Sequence, residues 1–161
     1  MFPVPPGTPR GSLPTLPFFS VSCQATPPLL RAGATRALTF AEVMETCEVL
    51  LVHAAHHRCP YWVVDRRSGP HEEPAELHSW MQEDYFPRVR AVLGQPPQVA
   101  FLVTPAELAR LQEHRATAPQ DWHTPAMYFG WFTQPPAAEA WLQAQRVLGP
   151  PSGSFNGTEH V

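Results

Sequence analysis

The sequence predicts an α/β fold: a mostly parallel five-stranded sheet carrying about four helices, with a strand pair at its start. Three observations lead there. The runs Tyr61-Trp62-Val63-Val64 and Val99-Ala100-Phe101-Leu102-Val103 have the unbroken apolar character of strands buried on both faces. Segments with a helical repeat alternate with them, and two of these segments open on capping boxes. The 21 prolines gather at the two ends and at the borders of the periodic segments, so they punctuate the chain without disordering it.

In chain order, residues 18–24 and 29–34 flank a Thr26-Pro27-Pro28 turn and read as the strand pair. Thr39-Phe40-Ala41-Glu42 is the first capping box, and Phe40, Val43, Met44, Cys47, Leu50, Leu51 and Ala54 then form one apolar stripe. The strand Tyr61 to Asp65 follows. Pro74 suits a first helical position, and the acids Glu72 and Glu73 complement the positive end of that next helix. Pro87 removes a backbone donor inside the periodic region, which predicts a break or kink near Phe86 before the stop at Gly94. Thr104-Pro105-Ala106-Glu107 starts a helix directly after the run 99–103. Residues 127–132 form the fifth strand and residues 137–148 the final helix. A chain of 161 residues, 43% hydrophobic, fills one core. One domain is therefore expected over 18–148, between a flexible Pro-rich N-terminus (1–17) and a flexible tail (149–161).

Composition excludes some functions. All 11 basic residues are Arg, and with 14 acids the formal charge is -3, which argues against a dedicated nucleic-acid binder. Cys23, Cys47 and Cys59 are odd in number and lack paired spacing, so they read as reduced and the chain as cytoplasmic. The first residues have no basic stretch ahead of an apolar run, so neither a signal peptide nor membrane insertion is expected, and Asn156-Gly157-Thr158 is a chance match to a glycosylation site. There is no Gly-x-Ser-x-Gly elbow, phosphate loop or dinucleotide fingerprint, hence no expected catalytic residue or cofactor.

The ordered set of elements, with Trp62-Val63-Val64-Asp65-Arg66-Arg67, Phe86-Pro87-Arg88, Leu102-Val103-Thr104-Pro105 and Ala140-Trp141-Leu142, resembles the STAS-like domains. These are the anti-sigma-factor antagonists and the cytoplasmic tails of sulfate transporters, and the likeness is closer to a little-characterised bacterial branch with an initial strand pair. It covers roughly residues 18–148. The resemblance implies a regulatory or adaptor module that works by binding. Antagonists switched by kinases carry Asp-Ser-Ser-Gly at a helix start, whereas this chain has Asp65-Arg66-Arg67-Ser68-Gly69, so a phosphoswitch at Ser68 departs from the family pattern.

Functional residues of open sheets gather at the carboxyl ends of strands, where Asp65, Arg66, Arg67 and Ser68 fall. A guanidinium fork there suits a protein partner or an anionic small molecule, and a homodimer is also compatible with the apolar helix faces. The bland reading is that Asp65 caps the loop and pairs with a neighbouring arginine. His53, His56, His57 and Cys59 bring metal ligands together, but at about 100° per residue His53 and His56 point to solvent and only His57 nears the stripe, so no metal is expected. His71, Glu72, Glu73 and His78 resemble an acid–base set, although capping alone explains such carboxylates. Of the five tryptophans, Trp122 in the polar Asp121-Trp122-His123 stretch is the one expected outside a regular element. The alternative to a docking surface is a small-molecule-binding protein or enzyme with a pocket at the same strand ends.

Overall fold

The computed structural model describes residues 13–69, 72–114, 122–123 and 127–148. Residues 1–12, the tail 149–161, Pro70, His71 and Asp121 lie outside the described residues, and so do the expectations that fall on them. The elements are β1 (Phe19–Gln24), β2 (Leu29–Ala34), α1 (Phe40–His57), β3 (Tyr61–Asp65), α2 (Ala75–Trp80), a π-helical turn (Met81–Tyr85), α3 (Phe86–Leu93), β4 (Gln98–Leu102), α4 (Pro105–His114), β5 (Trp122–His123), β6 (Tyr128–Phe132) and α5 (Pro135–Leu148).

The sheet order is β1-β2-β3-β4-β6-β5. β2, β3, β4 and β6 run parallel, while β1 joins β2 and β5 joins β6 antiparallel. The sheet is thus mixed, which corrects the expectation of a mostly parallel five-stranded one. The five expected strands form, and the stretch read as a polar loop around Trp122 supplies a two-residue sixth strand at the edge. An edge strand this short makes few hydrogen bonds and leaves little periodic signal.

From β2 to β6 the parallel strands succeed one another in a single direction. Right-handed crossovers in that arrangement carry the connecting helices to one face of the sheet. The core agrees. Cys47, Leu50, Leu51 and Ala54 of α1 and Phe86 and Val89 of α3 pack in one cluster with Leu30, Trp62 and Val99. Ala138 and Leu142 of α5 form the opposite cluster with Val63, Ala100 and Leu102. Along β3 and β4, alternate residues therefore serve different helices, as a two-residue repeat requires.

The first capping box is complete: Thr39 Oγ1 accepts from the Glu42 N–H at 3.2 Å, and Glu42 Oε1 accepts from the Thr39 N–H at 3.0 Å. In the second, Thr104 Oγ1 accepts from the Glu107 N–H at 3.1 Å, whereas the Glu107 carboxylate turns to Arg110. At the far end of α1 the chain turns through Arg58, at φ 50°. Residues 75–93 do not break at Pro87. The Phe86 N–H donates to Met81 O, five residues back, and this wider turn delivers Pro87 into the first turn of α3, where a missing N–H costs least. Pro74 is the N-cap of α2 and not its first helical residue, a shift of one.

One expectation about the N-terminal half fails. Residues 13–17 lie against the sheet and α1: Leu16 bridges to Phe19, and Pro14 O lies 2.8 Å from His53 Nε2. His53 is consequently buried under this segment instead of facing solvent. A helical wheel locates a side chain relative to its own helix and is blind to a distant segment folded over it.

Leu142, 1% exposed, anchors α5, whereas Leu148 on the same helix is 79% exposed. Leu142→Ala should cost about 2–5 kcal/mol in urea unfolding, and Leu148→Ala should stay within about 0.5 kcal/mol of wild type. A second expectation concerns acid. Arg36 bonds both oxygens of Glu42 at 2.9 Å, and with the Thr39 N–H holds its pKa at about 2 instead of the ordinary 4.5. Protonation is harder in the folded chain, so this contribution is complete above 4.5 and fades as pH falls toward about 2. Across that window the urea midpoint should fall more steeply for wild type than for Glu42→Gln, with the difference shrinking in high salt.

Candidate functional site

β3 lies between two parallel neighbours, Leu30 facing Trp62 on one side and Val99 facing Trp62 on the other. The ladder runs past its last residue, because the Arg66 N–H donates to Leu102 O at 2.8 Å. Extended backbone through Arg66 sends consecutive side chains to opposite faces. This divides the quartet Asp65, Arg66, Arg67 and Ser68.

Asp65 and Arg67 close on one another. The Arg67 Nε donates to Asp65 Oδ1 at 3.0 Å, its Nη2 to Oδ2 at 2.8 Å, and its backbone N–H to Oδ1 at 2.9 Å. These bonds, led by the guanidinium, hold the Asp65 carboxyl below the usual carboxylate range against the opposing effect of burial. The Arg67 side chain is 41% exposed. Ser68 donates its hydroxyl hydrogen to Ala34 O at 2.8 Å, which ties the loop to the end of β2.

Arg66 turns toward the helical layer, and its side chain is only 19% exposed. Its guanidinium lies 5.8 Å from the Phe101 ring centre and 5.7 Å from that of Trp131, and it pairs with Glu73. Burial draws its pKa below the ordinary value, partly offset by the Glu107 carboxylate. Glu73 also meets His78 Nε2 at 3.2 Å. The chain that delivers Glu73 is pinned beforehand: the Glu72 N–H donates to Leu38 O at 3.0 Å, and Glu72 Oε1 accepts from the Phe40 N–H at 2.9 Å. Glu72 therefore serves the start of α1, and α2 has no side-chain cap, which corrects the assignment of both acids to α2.

Beneath Arg66 and Glu73, between the sheet and the layer of α1, α2 and the π turn, a pocket of about 350 Å³ opens. Phe101, Phe129 and Trp131 supply its sheet wall, with Phe101 stacked on Trp131 at 4.8 Å between ring centres and Phe129 set edgewise to both. Met81 and Tyr85 of the π turn and Cys47 of α1 form part of the opposite wall. The extra residue of the π turn thus widens the helix where it faces the pocket. Tyr85 donates its hydroxyl to Cys47 O at 2.7 Å, and burial raises its pKa well above the usual value. Burial likewise pushes the Cys47 thiol up to about 12, so it stays protonated at neutral pH.

Sequence reasoning found the loop and offered a pocket at these strand ends as its alternative, but missed the side chains that build it. Glu73, Phe101, Phe129 and Trp131 carry it, and the parity of the three aromatic residues along β4 and β6 was the available signal. Of the histidine cluster, His53 is buried against Pro14, and the Cys59 S–H donates to Tyr61 O. Among the described residues no three His, Cys, Asp or Glu side chains gather as a metal site. The charged form of His57 is disfavoured by burial and by His56 and His53. Among the described residues no helix is long and apolar enough to cross a membrane.

Removing each arginine in turn separates the two halves of the loop. Arg67→Ala loses a half-exposed ion pair and should cost under about 1 kcal/mol. Arg66→Ala strips the cover from two aromatic rings and leaves Glu73 half-buried without its cation, so its cost in urea unfolding should exceed that of Arg67→Ala by about 1–2 kcal/mol. Equal costs would mean that Arg66 is not seated as described. No family model, curated protein or solved structure matches the chain, so its chemistry is read from these side chains.

Proposed function

We propose that the chain is a non-catalytic binding module, regulatory in the manner of the STAS-like domains it resembles, and that it holds a small, mainly apolar molecule in the pocket at the ends of β3 and β4. The observation that carries this reading is the concavity itself: about 350 Å³ bounded by aromatic and sulfur-bearing side chains, a size and character suited to small ligands. A flat or convex loop would have favoured protein docking. Here the exposed part of the loop is an internally satisfied Asp65–Arg67 pair, with few bonds left to offer a partner.

Binding without chemistry is favoured by the state of three groups that line the pocket. The Cys47 thiol is held protonated, Tyr85 is held neutral with its hydrogen committed to a carbonyl, and Asp65 is held ionised by Arg67. A thiol or phenol nucleophile would have to lose its proton, and a general base works best with a pKa near neutrality, from which the Asp65 carboxyl is drawn away. Occupancy would be read out through α2 and the π turn. That segment forms one wall of the pocket, and its position is fixed by the Glu72 and Glu73 contacts at its start.

The neutral fluorophore N-phenylnaphthylamine tests the reading. It should bind the full chain saturably at one site, and Val64→Phe, which thrusts a larger side chain into the pocket wall, should weaken it about tenfold while the fold survives by circular dichroism. Non-saturable binding, or equal affinity in the two forms, would refute the pocket as the functional site.

A further inference from the structure

The polar inventory of the pocket narrows the class of ligand. Trp131 is 8% exposed, its ring forms part of the wall, and its Nε1 is buried with no hydrogen-bond partner. An indole N–H in that condition carries the full cost of desolvation, a cost that native structures rarely leave unpaid. The other buried polar groups of the wall are already matched, and the Gln82 amide at its edge is exposed to water. Thr46 donates to Val43 O and Tyr85 to Cys47 O, while the charges at the mouth cancel in pairs, Arg66 with Glu73 and Asp65 with Arg67. Among its buried groups the pocket lacks one acceptor, and the paired charges at its mouth leave it without net charge.

We infer that the ligand is an uncharged molecule with a flat apolar body and one carbonyl-type acceptor, the acceptor taking the Trp131 indole N–H. The body lies along Phe101 and Phe129, whose rings present a face and an edge for stacking. Met81 and Met127, unbranched side chains in the lining, supply the small adjustment that brings an acceptor up to the buried nitrogen. A carboxylate is disfavoured even though it accepts strongly, because the one inward-facing guanidinium is committed to Glu73 and an unmatched charge would have to leave water. This inference rests on the pocket being a ligand site, and its test separates the two.

Three naphthalenes that differ only in carrying an acetyl, an ethyl or a carboxylate group are titrated into the full chain by calorimetry. The acetyl compound should bind about tenfold more tightly than the ethyl one, the worth of one hydrogen bond, and the carboxylate should bind more weakly than the acetyl compound. Trp131→Phe keeps a ring in the wall and removes the donor. It should abolish the acetyl preference and leave the ethyl affinity within about twofold. Because that variant could fail to fold, nuclear magnetic resonance of wild type with nitrogen-labelled tryptophan is read alongside: the Trp131 indole resonance should move downfield with the acetyl compound and not with the ethyl one. Equal binding of acetyl and ethyl compounds, or an unmoved indole resonance, overturns the acceptor while the apolar pocket stands. Tightest binding by the carboxylate overturns the requirement for a neutral ligand. Failure of all three to bind overturns the pocket reading and this inference with it.

Discussion

The centre of this molecule is the clamping of β3 between two parallel neighbours. Hydrogen-bonded on both sides and continued through the Arg66 N–H to Leu102 O, the strand has no freedom to rotate, so the parity of each side chain is settled. Trp62 must face α1 and α3, Val63 must face α5, and two residues farther along Arg66 must follow Val64 to the helical side. A guanidinium that would reach solvent from a loose loop is instead carried over an aromatic floor, where it needs an anion.

Glu73 meets that need, and the loop from β3 to α2 is shaped by delivering it. Glu72 bonds the first turn of α1 and the backbone at Leu38, which holds the segment against the helix before Glu73 turns to Arg66. The ion pair adds little stability by itself, since half-buried pairs spend much of their attraction on desolvation. Its consequence is geometric. It roofs the space above Phe101 and Trp131 without filling it, and the π turn ahead of Pro87 keeps the opposite wall back. A pocket persists because the other buried polar groups around it are satisfied by one another, leaving the Trp131 indole as the buried donor there without a partner.

The residues that read clearly from sequence were those whose signal is local. The Thr39–Glu42 capping box, the strand Tyr61–Asp65 and the stop of α3 at Gly94 each follow from neighbours within a few positions. The assignments that failed depend on partners far along the chain. Glu72 bonds a residue 32 positions away, and His53 is covered by Pro14, 39 positions away. Of the candidate site, the location at the end of β3 was legible. The direction of Arg66, its partner Glu73 and the aromatic wall from β4 and β6 were not, because strand order and face are decided between elements.

By itself, then, the sequence determined five of the six strands, the helices between them to within a residue or two at their ends, and their alternation as an α/β protein, since capping, periodicity and proline placement act over a turn or two of chain. Only the tertiary structure decided that the sheet is mixed, that one face belongs to α5 and the other to the remaining core helices, and that a space is left beneath Arg66 and Glu73. A cavity is the difference between the volume that layers enclose and the volume that side chains fill, and that difference exists only once the layers have met.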